Sequence, residues 1–330
     1  MHAIRQHAFG GPETLSYEEV PDLEPGEGQV RIAVDAAGVH LIDTTIRSGQ
    51  TGGPYPVPDL PMTPGREVAG RVDRVGPGVD AAWVGRRIVA HLGPASGGYA
   101  EQALAAVTAL HGLPDHLSAE AAVAMIGTGR TTMGILEVAD LSAKDVVLIT
   151  AAAGGIGSLL VQAARAAGAV TVGVAGGPAK VRLVLDLGAD VAVDYREPGW
   201  PDLVRAELGD RGDRPITALL DGVGGAAGQA ALDLVGPGGR VVMFGWSAGS
   251  PLELTTGDLY ARGITASAAV GPRLLQRPGG LREFEEAALA AAAEGRLTPV
   301  VAATFPLADA AAAHQALEDR ATTGKVVLVP

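Results

Sequence analysis

The chain has 330 residues, with 25 basic against 37 acidic side chains, a net charge of −12 and no cysteine. That length predicts two domains and a core large enough to need no staple, and the missing cysteine excludes disulfides, a thiolate nucleophile and any cysteine-ligated zinc. The acidic balance and an aromatic share of 4% exclude a nucleic-acid surface.

Elements follow in chain order. Residues 1–15 lack the basic and apolar regions of a signal peptide, so a cytoplasmic protein is expected. Short strands are predicted at His2–Ala8, Thr14–Val20, Gln29–Ala37, Glu67–Val75, Arg86–His91 and Tyr99–Ala105, punctuated by Gly and Pro turns. This is the pattern of an antiparallel, barrel-like β domain. From Asp145 apolar runs alternate with helical patterns: Val146–Ala151, Val170–Ala175, Val191–Val193, Ile216–Asp221, Arg240–Phe244 and Ile264–Ala269 are strand candidates of a doubly wound parallel sheet. The apolar stretch Val146–Ala164 is broken by Gly154, Gly155, Gly157 and Ser158, which predicts strand, turn and helix and no membrane span. A helix over Leu281–Glu294, a strand over Val300–Phe305, a helix over Leu307–Asp319 and a strand over Lys325–Val329 leave that rhythm and are expected to return to the first domain. The domains are therefore 1–120 with 271–330, and 121–270.

The sharpest motif follows the strand at Val146. Ala152, Gly154 and Gly157 occupy the three positions of G-x-G-x-x-G, with Gly155 and Ile156 between them, so backbone amides and a helix N-terminus face a pyrophosphate. About 20 residues on, where an NAD site offers a carboxylate to the adenosine ribose, the chain reads Val174-Ala-Gly-Gly-Pro-Ala-Lys180 and has no acid. Lys180 can reach a 2′-phosphate over Gly176–Gly177, so NADPH is the expected cofactor. The chain has only three lysines, Lys144, Lys180 and Lys325, against a bias toward arginine. Each merits attention for that reason.

The stretches 36–49, Pro64-Gly-Arg-Glu-Val-Ala-Gly70, Ala151–Gly157, Asp221-Gly-Val-Gly-Gly225 and Thr323-Gly-Lys-Val-Val-Leu328 resemble the zinc-independent, zeta-crystallin-like quinone oxidoreductases of the medium-chain dehydrogenase/reductase superfamily. The resemblance spans nearly the whole chain. It implies an α/β protein in which a GroES-like β-barrel catalytic domain accompanies a Rossmann domain, with NADPH and its electron acceptor in the cleft between them, and a homodimer. Residue by residue it assigns Gly154 to Gly157 to the pyrophosphate, Lys180 and Tyr195 to the 2′-phosphate, Thr131 to the cofactor ribose, and Phe244-Gly245 to the nicotinamide. Gly65-Arg66-Glu67 stands where the zinc-binding branch has Gly-His-Glu, so no catalytic metal is expected. His40 replaces the family's usual Asn, Thr45 an aromatic residue, and Gly177 a Ser or Thr near the 2′-phosphate.

The expected reaction is hydride transfer from NADPH to a quinone or related conjugated carbonyl. His40 and Tyr55, the latter in Gly53-Pro-Tyr-Pro-Val-Pro58, are each either a donor to the oxygen that gains charge or a framework residue. Reduction of an enoyl thioester or other enone, or NADPH binding with little catalysis, are the alternatives. His111 and His116 are expected at the surface, and the helix carrying Asp309 and His314 is expected to be solvated.

Overall fold

The computed structural model describes residues 1–50, 57–209 and 214–330 of the chain. Two compact units divide it, Met1–Thr128 with Ala288–Pro330 and Gly129–Ala287.

The first unit opens with β1 (His2–Gln6) and β2 (Leu15–Glu19), paired antiparallel. There follow β3 (Gln29–Val39), α1 (Leu41–Arg47), β4 (Glu67–Val75), β5 (Arg87–His91), β6 (Gln102–Ala106), β7 (Leu110–Gly112) and α2 (Ala119–Val123). The 11-residue β3 is the spine: β4 and β6 both pair with it antiparallel, and its register with β4 shifts twice, between Arg31 and Ile32 and between Val34 and Ala36. Such bulges bend a strand and curl its sheet. Its inward residues Val30, Ile32 and Val34 join Val68, Val72, Ile88 and Tyr99 in one core. The strand expected to begin at Tyr99 begins at Gln102. Tyr99 instead binds its backbone N–H to Pro64 and lays its ring against Gly65, whose φ of 90° and lack of a Cβ the contact requires.

In the second unit come α3 (Arg130–Ala139), β8 (Val146–Ile149), α4 (Gly155–Ala166), β9 (Val170–Ala175), α5 (Pro178–Asp186), β10 (Val191–Asp194), α6 (Trp200–Gly209) and β11 (Ile216–Asp221). It continues with α7 (Gly225–Leu232), β12 (Val235–Met243), α8 (Thr256–Arg262), β13 (Thr265–Ala268), α9 (Pro272–Leu275) and α10 (Arg282–Ala293), within which the division between units falls. The sheet is parallel in the order β10-β9-β8-β11-β12-β13, the doubly wound arrangement expected, reversing direction between β8 and β11. Every residue of β8 is buried, as a strand covered on both faces must be. Ala288, Leu289 and Ala291 of α10 are buried, so its alanines serve packing.

The chain ends with β14 (Ala303–Pro306), α11 (Ala310–Glu318) and β15 (Val326–Val329). β15 pairs antiparallel with β3, and β14 lies parallel on β15. No described helix is long and apolar enough to cross a membrane.

Candidate functional site

In the second unit, β8 ends in a turn tied by Thr150, whose hydroxyl donates to Asp221 at 2.7 Å. Ala152 is fully buried beneath the turn, and Gly154 caps α4. The two glycines differ in duty. A Cβ on Gly157 would strike the Ala151 carbonyl and lie 2.8 Å from the Ala152 Cα, so glycine is what lets the helix meet the strand. A Cβ on Gly154 would find only the Ala151 oxygen at 3.2 Å. Its bareness serves the outer side, where the first amides of α4, those of Gly155 and Ile156 among them, have no intrahelical acceptor. This is a cradle that a pyrophosphate fits and a side chain would fill.

β9 ends at Ala175 without a carboxylate and runs into Gly176 and Gly177. Gly177 has φ of 105°, which only glycine adopts freely, and caps α5 ahead of Pro178 and Lys180. Two side chains from the end of β10 close on this turn. A Cβ on Gly176 would lie 3.0 Å from the Tyr195 hydroxyl, and one on Gly177 would lie 2.6 Å from the Arg196 guanidinium. Arg196 is held by Asp194 at 2.9 Å, and chiefly for that reason the Asp194 carboxyl is pushed down to about 2. Sequence reasoning singled out Lys180 and Tyr195 but missed Arg196, whose adjacency to Tyr195 was the available signal.

Where the strand order reverses, the buried Asp221 accepts from the Val223 and Gly224 amides at 3.1 and 3.0 Å and so shapes the loop after β11. The Phe244 amide donates to the Asp221 carbonyl at 2.8 Å, and the Phe244 ring covers Gly222. Phe244 and Gly245 thus sit at the carboxyl end of the sheet beside the switch point, where open α/β sheets bind ligands. Thr131 stands, half-buried, in the first turn of α3.

The first unit contains a buried polar cluster that sequence reasoning caught only in part. His40 caps α1, its backbone N–H donating to Asp43 Oδ2 at 2.9 Å. Asp43 also accepts from Arg66 at 2.9 Å and from the Tyr99 hydroxyl at 3.0 Å. Tyr99 Oη lies 3.1 Å from His314 Nε2, and Arg47 NH1 3.2 Å from His314 Nδ1. Arg47 also donates to Glu318 at 2.6 Å. On the other side of His40, Glu67 and Lys325 pair at 2.7 Å with both side chains buried. Asp43, Arg47 and Arg66 border a cavity of about 390 Å³. Tyr55 lies outside the described residues. His111 is buried in β7 and not at the surface, because that short strand turns it inward, whereas His116 is exposed. Likewise α11 turns His314 inward, where it is fully buried.

Burial alone would raise the Asp43 and Glu67 carboxyls. Arg66 offsets this at Asp43 and Lys325 at Glu67, joined by His40 at the low pH where its ring is protonated, holding both below their ordinary values. Burial, opposed by Asp43 and aided by Arg47, lowers His314 from 6.5 to about 4. Between those pH values the unfolded chain binds a proton that the folded chain refuses, so stability must fall as pH drops through this window. Urea titrations should lose about 3 kcal/mol from pH 6.5 to pH 4 at this residue, a loss that His314→Gln should abolish.

Comparison with known proteins places residues 26–115 in the alcohol dehydrogenase GroES-like domain and residues 155–293 in the zinc-binding dehydrogenase domain. The chain is 34% identical to a quinone oxidoreductase of Pseudomonas aeruginosa over 99% of both chains, and 33% identical to a 2-haloacrylate reductase of a Burkholderia species over 98% of this chain and 97% of that one. A crystal structure of Escherichia coli quinone oxidoreductase complexed with NADPH matches all of both chains with a TM-score of 0.87 at 31% identity.

Proposed function

We infer that this chain, which belongs to the quinone oxidoreductase family of the medium-chain dehydrogenase/reductase superfamily, is an NADPH-dependent quinone reductase. The carrying observation is the cradle at Ala152–Gly157 together with a second turn that lacks an acid and is flanked by Lys180, Tyr195 and Arg196. NADPH supplies the hydride. The chain's part would be to orient it: the α4 amides would hold the pyrophosphate, the cations near Gly177 the 2′-phosphate and Thr131 the ribose, with Phe244-Gly245 on the nicotinamide side. The cavity beside Asp43 and Arg66 is within the size range of small-ligand pockets.

The reduction needs no zinc on this reading. The chain has no cysteine, no group of three metal-binding side chains stands among the described residues, and Arg66 holds the place of a ligand histidine. Lack of cysteine also favours a cytoplasmic location. A homodimer is supported by β13, which pairs only with β12 among the described strands and leaves an edge open for a second copy. The likeness to a 2-haloacrylate reductase supports a second reading, in which the acceptor is an activated carbon–carbon double bond.

Calorimetric titration should give about tenfold tighter binding of NADPH than of NADH. NADPH oxidation by a quinone should survive exhaustive chelation, with no stoichiometric zinc by elemental analysis. Equal affinities, or zinc lost together with activity, would overturn the reading.

A further inference from the structure

The Glu67 carboxylate and the Lys325 ammonium lie together in a wall made by two glycines. A Cβ on Gly38 of β3 would collide with Glu67 and come within 3.1 Å of Lys325 Nζ, and one on Gly127, in the π-helical turn Ala124–Gly129, would collide with Glu67. The pair is packed as tightly as its backbone allows. An ammonium has three donors and no acceptor. Those of Lys325 meet Glu67 Oε2 at 2.7 Å, His40 Nε2 at 2.8 Å and Thr128 Oγ1 at 3.5 Å.

The contact with His40 decides the state of its ring. A nitrogen that accepts from an ammonium must present its lone pair, so the ring proton belongs on Nδ1. Two further observations agree. His40 Nε2 lies 3.0 Å from Glu67 Oε1, yet no hydrogen bond is aligned between them. Nδ1 has no hydrogen-bond partner and lies 3.9 Å from Asp43 Oδ2, so attraction at that distance, without a hydrogen bond, favours an N–H there over a lone pair. With His40 neutral, the Glu67–Lys325 and Asp43–Arg66 pairs balance to zero charge.

We propose that Lys325 is a positioning residue for His40, holding the imidazole neutral with its proton on Nδ1 so that the ring presents one fixed tautomer in the catalytic domain. The groups that face this arrangement are Asp43 from α1, Arg66 and Glu67 from the start of β4, His91 from the end of β5 and Thr128 from the π-helical turn. Remove the ammonium and Glu67 is left as a buried charge whose nearest source of compensation is His40. The ring would then become an imidazolium and titrate. The proposal rests on the functional reading above only where it concerns turnover.

The test is the nitrogen NMR spectrum of the His40 ring in the full chain, assigned by its loss in His40→Asn. The wild-type ring should show the Nδ1–H tautomer unchanged from about pH 6 to pH 8. Lys325→Met should shift the proton to Nε2 and make His40 titrate in that range. Lys325→Arg, which keeps the cation, should restore the wild-type spectrum. In turnover, wild-type kcat/KM should change less than about twofold over that range, and Lys325→Met should fall as pH rises through the new pKa. A wild-type Nε2–H tautomer, or identical titration of His40 in wild type and Lys325→Met, overturns the proposal. Should Lys325→Met fail to fold, the wild-type tautomer alone decides it. Failure of quinone turnover with the Nδ1–H tautomer intact would count against the functional reading and leave the positioning role standing.

Discussion

Replacing Glu67 by alanine should lower the unfolding free energy by about 3–5 kcal/mol, because it leaves the Lys325 ammonium buried without its carboxylate. The cost is mostly this uncompensated charge. Loss of the side-chain atoms that fill the space beside Gly38 and Gly127 adds a smaller cavity cost. The pH dependence identifies the cause. Burial already lowers Lys325 from its ordinary 10.5, with Glu67 opposing the shift, and without Glu67 it falls further. The folded variant then binds fewer protons than the unfolded chain, so its stability rises with pH and the deficit at pH 9 is smaller than at pH 7. Removing both charges, as Glu67→Gln with Lys325→Met, should recover most of the loss. Urea unfolding of wild type, Glu67→Ala, the single variants Glu67→Gln and Lys325→Met, and their double variant at both pH values tests this. Additive losses in the double variant would mean that the two groups do not form the coupled pair described.

The second large effect separates two glycines of one motif. Gly157→Ala should cost about 1–3 kcal/mol, since its Cβ meets backbone atoms of Ala151 and Ala152 that no side-chain rotation can clear. By shifting the turn it should also weaken NADPH. Gly154→Ala should leave stability within about 0.5 kcal/mol of wild type, its φ of −80° being open to alanine. It should nevertheless weaken NADPH by about tenfold to a hundredfold, because the methyl group enters the space that a pyrophosphate needs. Thermal unfolding without cofactor, paired with NADPH titration, should show both variants weakened in NADPH binding but only Gly157→Ala destabilised. Equal stabilities would refute the division of labour between the glycines.

The glycine turn between β8 and α4 was legible in the sequence because its physics is local. Gly154 and Gly157 make their decisive contacts with Ala151 and Ala152, a few residues away, and a strand before and a helix after are enough to orient them. The second turn was legible for the same reason at Ala175–Lys180. Arg196 escaped because its approach to Gly177 depends on β10 lying beside β9. Helix α1 escaped too, since a seven-residue helix capped by a histidine carries neither a full period nor a strong cap signal.

The polar cluster was decided by tertiary structure alone. Tyr99 is 56 residues from Asp43 and 215 from His314, and Lys325 is 258 from Glu67. No spacing in the chain encodes such pairings. They follow from strand register: Val326 stands opposite Val39 and Ala37 opposite Val68, which brings Lys325 to His40 and Glu67 to Gly38. The scarcity of lysine marked Lys325 as unusual, but only the two pairings of β3 turn that lysine into a buried ion pair, because each side chain's cost of burial is met by a partner from a distant strand.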